Sequence, residues 1–362
     1  MSVFSFADYD QHENVIFFNE PSSGLKAIIA IHNTHLGHAL GGLRMYPYVS
    51  DEHALSDVLR LSRGMTYKAA LANLPLGGGK SVIIGNPATD KTPALLAAMG
   101  RCVDSLCGRY IVAQDSGINV ADLKIVGTQT THISGISQRT DDTGQTHNGD
   151  PSPSTAYGVF LGIKAAVRHR LARDDLKGTR IAIQGLGNVG YRLARYLYQA
   201  GAQLWVSDIN TDNLNRAQRE FGAKVVHGDA LFSLDVDIVA PCALGGTINQ
   251  DTIDQLKACI IAGAANNQLL ALACGDTLHQ RGILYAPDYV INAGGIIDAY
   301  YLHNAKAYSE MKQHVETIST TLHNIFTQSA KYNQPTQAIA QALAQERLTQ
   351  AAPEKIKAIA NS

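Results

Sequence analysis

The segment 179–208 limits most narrowly what this chain can fold into. The run TRIAIQ is apolar and strand-like, and it leads directly into GLGNVG, whose Gly185, Gly187 and Gly190 follow the GxGxxG spacing. An amphipathic helical stretch runs to about residue 200, and a second strand, QLWVSD, ends on Asp208, 18 residues beyond Gly190. Three glycines at this spacing are weak evidence alone. Placed between a strand and a helix, they let the helix N-terminal amides, here those of Asn188, Val189 and Gly190, approach a pyrophosphate closely. A carboxylate at the end of the second strand accepts hydrogen bonds from an adenosine ribose and repels a 2′-phosphate, which favours NAD over NADP. A tight strand-to-helix turn that binds nothing uses the same local pattern, as does a regulatory dinucleotide-binding domain without catalysis.

The flanking sequence is also α/β. Before the fingerprint, LKAIIAIH (25–32), SVII (81–84) and RYIVA (109–113) read as strands. HALSDVLRLSRGMTYKAALANL (53–74) reads as a helix with Leu55, Leu59, Ser62 and Met65 along one face, and a second helix falls around 91–107. The polar, turn-rich QRTDDTGQTHNGDPSP (138–153) lacks apolar periodicity and predicts a linker, with a domain boundary near 145–150. Beyond it lie a helix over 155–171 and strands at KVV (224–226), DIVAP (237–241), CIIAG (259–263) and LYAPD (284–288), an order suited to a doubly wound parallel sheet. After Gly295 the pattern turns helical, with Met311, Val315, Ile318, Leu322 and Ile325 at helical spacing, and a last helix over about 336–349 is expected to return to the first domain. The chain therefore reads as α/β with two domains: residues 1–147 with a return over about 334–362, and residues 148–333 carrying the dinucleotide fold.

Composition narrows the partners. At 362 residues, 45% of them hydrophobic, the chain can build two cores without disulfides or a structural metal. With 30 Lys+Arg against 31 Asp+Glu the net charge is -1, which gives no electrostatic reason to expect nucleic acid or an anionic membrane as partner. The five cysteines are scattered and never spaced CxxC, as in a cytoplasmic protein with reduced thiols. Asp8, Asp10 and Glu13 interrupt the start where a secretory signal needs a basic, then apolar, stretch. The longest apolar runs, such as AIIAI (27–31), are strand-sized rather than membrane-spanning. His32, His35 and His38 fall three residues apart, but no nearby Cys or carboxylate completes a ligand set, so no metal is expected.

Lys68 lies late in the first helix and Lys80 follows LPLGGG. A lone helical lysine is usually solvated. Gly77, Gly78 and Gly79, however, carry an entropic cost that a surface turn rarely needs three times over, and they bring backbone and Lys80 close to whatever occupies the site. GGGKS imitates the end of a phosphate-binding loop, but GxxxxGK[ST] requires glycine at position 74, where Leu74 stands. Gly41 and Gly42 form a second flexible pair before Arg44, and Asp115 sits at the end of RYIVA, the edge where α/β sheets place reactive groups. Asp115 alone would more often cap a turn. Together, two lysines and a carboxylate suit an anionic substrate that needs proton transfer: one lysine fixes a carboxylate by charge, and the other, desolvated, acts as base.

The segments SGLKAIIAIHN, ALGGLRM, LRLSRGMTYKAALANLPLGGGKSVIIG, AQDSGINVADL, DPSPSTAYGVFLGIKAA, IAIQGLGNVG, APCALGG, IIAGAANNQL and YAPDYVINAGGII resemble the glutamate/leucine/phenylalanine/valine dehydrogenase family, most nearly its leucine dehydrogenase-like branch. The resemblance spans about residues 23–300. It implies an N-terminal α/β domain for substrate and oligomer formation, a Rossmann domain for NAD, and a cleft between them that closes over substrate. It further implies reversible NAD(P)-dependent oxidative deamination of an L-amino acid to its 2-oxo acid and ammonia, by a homo-oligomer. On this resemblance Lys68 binds the substrate α-carboxylate, Lys80 is the base that activates water against the imino acid, and Asp115 shuttles the proton of the amino group. Gly41, Gly42 and Met65 join the substrate site, Thr155, Asn266 and Asn292 approach nicotinamide or substrate, and Ala243 contacts the cofactor.

The same resemblance implies that Leu40, Ala113, Ile296 and Ala299 shape the side-chain pocket. All four are apolar, so a glutamate side chain would be buried there without a charged partner. Leu40 and Ile296 suit a branched aliphatic group, whereas small Ala299 beside Tyr300 leaves room for a ring. NAGGIIDAYYL departs from the leucine branch at Asp298 and Ala299, and ALANLPLGGGK is similar to tryptophan dehydrogenase-like members. The expectation is an NAD-dependent dehydrogenase of branched-chain L-amino acids, with an aromatic substrate and a non-catalytic NAD and amino-acid sensor as alternatives. Lys68, Lys80 and Asp115 together favour an enzyme, because ligand binding alone needs no second, buried lysine as base.

Overall fold

The periodicities of the sequence become two sheets in two units in a computed structural model, which describes residues 2–140, 146–147 and 149–360. One unit takes in Met1–Asp150, Ala299–Ser309 and Ala344–Ser362, and the other Pro151–Asp298 and Glu310–Leu343.

The first unit contains β1 (Asn14–Glu20), β2 (Leu25–Asn33), β3 (Ala39–Tyr46), α1 (Asp51–Leu71), β4 (Gly77–Ile84), α2 (Pro93–Asp104), β5 (Tyr110–Gln114) and α3 (Val120–Val126). Its sheet runs β1-β2-β4-β3-β5. The β4-β3-β5 part is parallel and β2 is antiparallel to both its neighbours. Helix α1 begins where Ser50 accepts from the His53 amide, with Asp51 and Glu52 in the first turn and Lys68 in the last, each charge set against the helix dipole. Its Ala54, Leu55, Val58 and Leu59 pack on Ile28, Ala30 and Val82 at one face of the sheet. On the opposite face Ile29, Ile31, Leu43, Met45 and Ile83 meet Leu96 and Met99 of α2 and Leu123 of α3. Strand alternation therefore turns Gly42, Arg44 and Lys80 to the α1 face.

The strand expected at 81–84 begins four residues earlier, at Gly77. The triple glycine is extended strand, and Gly41 and Gly42 likewise lie inside β3. Neither set is the flexible segment expected from its composition, because ladder pairing of Leu40 with Gly78 and of Ile31 with Gly79 fixes the backbone, and none of these five glycines has positive φ. What glycine supplies there is room. At Gly78 a Cβ would stand 2.0 Å from the Thr66 amide nitrogen, so α1 reaches the sheet only because that side chain is missing.

Within the expected linker, β6 (Arg139–Thr140) and β7 (Thr146–His147) form a short antiparallel pair. Residues 141–145 and 148 lie outside the described residues. The chain then continues with α4 (Ser152–Leu171), β8 (Arg180–Gln184), α5 (Asn188–Gln199), β9 (Gln203–Ser207), α6 (Thr211–Phe221), β10 (Lys224–Val225), β11 (Ile238–Pro241), α7 (Gln250–Gln255), β12 (Ile260–Ile261), α8 (Leu272–Gln280), β13 (Leu284–Tyr285) and α9 (Asp288–Ile291) in the second unit, and with α10 (Gly294–His303), α11 (Tyr308–Tyr332) and α12 (Thr336–Ala360), whose residues are divided between the two units. The six-stranded sheet of the second unit is wholly parallel in the order β10-β9-β8-β11-β12-β13. The five α11 residues picked out by helical spacing are all buried, and Ile318 and Leu322 among them press on α4 at Gly158 and Gly162. The last helix continues past the expected 349 to Ala360. All five cysteines are free thiols. Among the described residues no helix is long and apolar enough to cross a membrane.

The approach of α1 is open to test. Gly78→Ala forces backbone against backbone, and we expect a loss of about 1–3 kcal/mol or more in urea unfolding. Unchanged stability would show that α1 can shift without cost.

Candidate active site

The first unit brings a buried lysine to a carboxylate. Pairing of Gly42 with Ala113 and Leu43 with Gln114 carries the end of β5, and with it Asp115, to the strand that holds Arg44. Lys80 is only 4% exposed, and its Nζ donates to Asp115 Oδ2 at 2.8 Å. Arg44 Nε donates to the same oxygen at 2.9 Å. Behind it Arg44 Nη1 reaches Asp57 Oδ2 at 2.8 Å, and Tyr48 OH donates to that Asp57 oxygen at 2.5 Å. Two cations thus share Asp115 Oδ2, while no donor among the described residues reaches Oδ1. Any side chain at position 42 would disturb the pair, since a Cβ there falls 2.7 Å from Asp115 Cβ and 3.1 Å from Lys80 Nζ. Beneath, buried Tyr110 OH donates to the Gly41 carbonyl at 2.9 Å and is hydrogen-bonded to Ser81 Oγ.

These contacts set the protonation states. Burial lowers the Lys80 ammonium and the Arg44 charge lowers it further, against the pull of Asp115. Burial alone would raise the Asp115 carboxyl, but Lys80 and Arg44 outweigh it and bring it to about 2. Arg44 is held protonated, Asp115 and Asp57 more than offsetting its burial. The cluster therefore pairs a lysine biased toward its free base with a carboxylate kept ionised.

Met65 and Lys68 lie in the last turns of α1, both half-buried, on either side of Thr66. Leu40 is buried next to Gly41, and Ala113 stands opposite Gly42. The Ala299 carbonyl accepts from Ser134 Oγ at 3.0 Å, and the Ser134 amide in turn donates to Val112 of β5, so the start of the 299–309 segment is tied to the edge of the same sheet. Leu40, Gly41, Gly42, Lys80, Ala113 and Asp115 are thus neighbours on adjacent strands. Sequence reasoning passed over Arg44, Asp57, Tyr48 and Ser134. Arg44 was detectable as the residue two beyond Gly42, hence on its face of the strand. Of the three histidines, His32 is buried with Nδ1 2.8 Å from Thr66 Oγ1, and burial together with neighbouring His12 lowers it to about 4, so it is neutral in the core. Among the described residues no group of three His, Cys, Asp or Glu side chains is arranged to hold a metal.

In the second unit a parallel sheet gathers every strand's C-terminal loop at one edge, and the strand order reverses between β8 and β11. Gly185 follows β8 with φ +93, a conformation that favours glycine, and a Cβ on it would meet Ala243 of the loop after β11 at 2.9 Å. A Cβ on Gly190 would stand 2.0 Å from the Gly185 carbonyl oxygen. Helix α5 starts at Asn188 with Gly187 as N-cap and no side chain closing its amides, which leaves Asn188, Val189 and Gly190 at an anion-receptive terminus. The Asp208 carboxylate accepts from the Leu186 and Asn210 amides. At the C-terminal end of α9, Asn292 Nδ2 donates to Asn266 Oδ1 at 2.8 Å and to the Ala264 carbonyl at 3.0 Å, both in the loop after β12, and buried Asn292 Oδ1 has no partner among the described residues. Thr155 in the first turn of α4 lies against Gly295. Ile296 is buried in α10 of this unit. An uncapped helix start, an acid at the end of β9 and a buried acceptor without a partner among the described residues together fit a nicotinamide dinucleotide.

Replacing Asp115 by Asn leaves Lys80 and Arg44 buried without their shared counter-charge, and we expect a loss of roughly 3–5 kcal/mol at pH 7. Because the folded carboxyl lies below its unfolded value, its contribution is complete above about pH 4 and is lost as the pH falls through about 2. Urea unfolding of both proteins from pH 7 to 2 should show the gap closing below pH 4. A constant gap would assign the loss to packing.

Residues 12–132 match the family model of the Glu/Leu/Phe/Val dehydrogenase dimerisation domain, and residues 148–211 and 208–355 match that of Glutamate/Leucine/Phenylalanine/Valine dehydrogenase. A leucine dehydrogenase of Geobacillus stearothermophilus is 49% identical over 349 residues, 96% of this chain and 94% of its own. An L-tryptophan dehydrogenase of Nostoc punctiforme is 48% identical over 356 residues, 96% of this chain and 97% of its own. The crystal structure of L-tryptophan dehydrogenase from Nostoc punctiforme superimposes with a TM-score of 0.79 at 46% identity, over 94% of this chain and 97% of that one. With both halves matched and the dinucleotide edge in place, the chain belongs to the glutamate/leucine/phenylalanine/valine dehydrogenase family of NAD(P)-dependent oxidoreductases.

Proposed function

We propose that this chain catalyses the reversible, NAD-dependent oxidative deamination of an apolar, branched-chain L-amino acid to its 2-oxo acid and ammonia. The observation that carries this reading is the desolvated Lys80–Asp115 pair, a base and a carboxylate 2.8 Å apart beside a position where only glycine fits. Lys68 supplies the fixed charge for the substrate α-carboxylate. Asp115, ionised and with Oδ1 open, accepts the proton that the substrate ammonium must lose before its Cα–H bond breaks. When bound, the nicotinamide ring supplies the hydride acceptor. Lys80 as free amine then takes the proton of the water that adds to the imino carbon, and returns it as ammonia leaves.

Asp208 favours NAD. Its carboxylate, fixed by the Leu186 and Asn210 amides, puts negative charge where a 2′-phosphate would sit. Support for an aliphatic substrate comes from Leu40, Ala113 and Ile296, and from Tyr300. That ring packs edge-on against Tyr301 with centroids 5.6 Å apart, and Lys306 Nζ lies 5.0 Å from its centroid, contacts that compete with stacking on a substrate ring. The match of residues 12–132 to a dimerisation domain supports assembly with further copies of the same chain. Five free thiols suit the cytoplasm.

The test is NADH formation with L-leucine, L-valine, L-phenylalanine, L-tryptophan and L-glutamate at alkaline pH. We expect leucine and valine to exceed the rest, whereas faster aromatic turnover would reassign the substrate, and NAD binding without any turnover would leave a sensor. Lys80→Ala should lower kcat by about 10²–10⁴-fold with NAD affinity retained. NADP should be at least about tenfold poorer than NAD, and Asp208→Ser should narrow that ratio, since a tenfold change needs only about 1.4 kcal/mol. Equal use of both cofactors by the wild type would remove Asp208 as the selector.

A further inference from the structure

Arg44 occupies an unusual place for a strand arginine. It is fourth-fifths buried, with its side chain 20% exposed, and both its guanidinium contacts are to carboxylates that themselves face inward, Asp115 at 17% and Asp57 at 24%. Lys80, Asp115, Arg44 and Asp57 alternate in sign along a line of hydrogen bonds that ends on Tyr48 OH. With Lys80 protonated such a line carries no net charge, which makes its burial tolerable. It also leaves the oxygens of Asp115 unequal: Oδ2 receives both Lys80 Nζ and Arg44 Nε, and Oδ1 receives neither. Had Lys80 been the sole partner, it could swing between the two oxygens or straddle them. Arg44 is barred from that motion, because Nη1 is anchored to Asp57, which Tyr48 holds from the far side.

We propose that Arg44, braced by Asp57 and Tyr48, is a positioning residue for proton transfer: it pins Asp115 Oδ2 together with Lys80, so that Oδ1 is the oxygen presented to the substrate amino group. This rests on the deaminating role proposed for Lys80 and Asp115. The arrangement has a second consequence. Arg44 is a permanent cation in the field of Lys80, and with it in place the lysine gives up its proton more readily than its bond to Asp115 alone would allow. The groups bearing on Lys80 are Asp115 beyond β5, Arg44 on β3 and Asp57 on α1. Tyr48 and Tyr110 are both raised above their ordinary value, by burial first, and so stay neutral through the working range. Removing Arg44 therefore shifts Lys80 upward, and the acid limb of kcat/KM moves with it to higher pH.

Two readouts keep the inference separate from the reading beneath it. The first is the titration of Lys80 in the resting protein, by trace acetic anhydride labelling across pH with mass spectrometry of the Lys80 peptide, and it needs no substrate. We expect Arg44→Gln to raise the midpoint by about one pH unit, and Arg44→Lys, which keeps the charge, to leave it near wild type. The second is steady-state turnover of whichever amino acid of the panel is fastest. Arg44→Lys cannot bridge both carboxylates, so kcat should fall about tenfold with KM within about threefold, and Tyr48→Phe should lower kcat by a smaller factor in the same direction. A Lys80 midpoint unmoved in Arg44→Gln, or full kcat in Arg44→Lys, overturns the proposal. If the wild type turns over nothing in the panel, the deamination reading fails, and the labelling experiment still decides whether Arg44 governs Lys80. Should Arg44→Gln fail to fold, Arg44→Lys and Tyr48→Phe carry the kinetic test.

Discussion

A buried ammonium is costly to ionise and costly to place, and the first unit is arranged around one. Lys80 Nζ lies in the interior of a mixed sheet with a single carboxylate in contact. That contact depends on strand register. Lys80 comes from β4, Arg44 from β3 between its neighbours, and Asp115 from the end of β5, so three strands must pair correctly for one oxygen to receive two donors. A slip of one residue in β4 would turn Lys80 to the face filled by Ile29, Leu43 and Met99, where no counter-charge exists among the cluster's residues. The ion pair is thus a consequence of the sheet and also a penalty on its alternatives.

The glycines around the pair follow from the same constraint. Lys80, Asp115 and Arg44 together need volume on the α1 face, and α1 must still reach the sheet to cover Ile28, Ala30 and Val82. Gly42 yields the first space and Gly78 the second. The adjoining carbonyl of Gly41 is then fixed from the other face by Tyr110 OH, a bond from a fully buried phenol. The proposed catalytic geometry and the core packing share these residues, so substitutions near the site will mix lost stability with lost turnover unless the two are measured separately.

The second unit solves a simpler problem. A parallel sheet has only one edge at which its strand-to-helix loops collect, and the reversal of order at β8 and β11 opens the crevice there. Its local signals were complete in the sequence: strand, glycines, helix, strand and Asp208 are contiguous, and each element formed where periodicity put it. In the first unit Lys80 and Asp115 were recognisable by residue type and by family motif, but the network holding them was not. Arg44 and Asp57 are separated by a strand end, a turn and the first part of a helix, and no periodicity links a strand position to a helix position 13 residues away. The contact exists only once α1 has docked.

Glycine shows most clearly why such sites resist being read from sequence. Gly185 and Gly42 are both embedded in glycine-rich motifs and look alike in composition. Gly185 adopts φ +93, a backbone state that side chains disfavour, so its requirement is conformational and local. Gly42 has ordinary strand geometry, and its requirement is set by Asp115 Cβ and Lys80 Nζ, which are 73 and 38 residues further along the chain. Reading Gly41–Gly42 and Gly77–Gly79 as flexible treated the second kind as the first. The distinction matters for mechanism: a flexible loop could adjust to substrate, whereas a strand held by ladders on both sides keeps Lys80 in place against Asp115 Oδ2, and such pre-set geometry is what the proton transfers proposed for the two groups require.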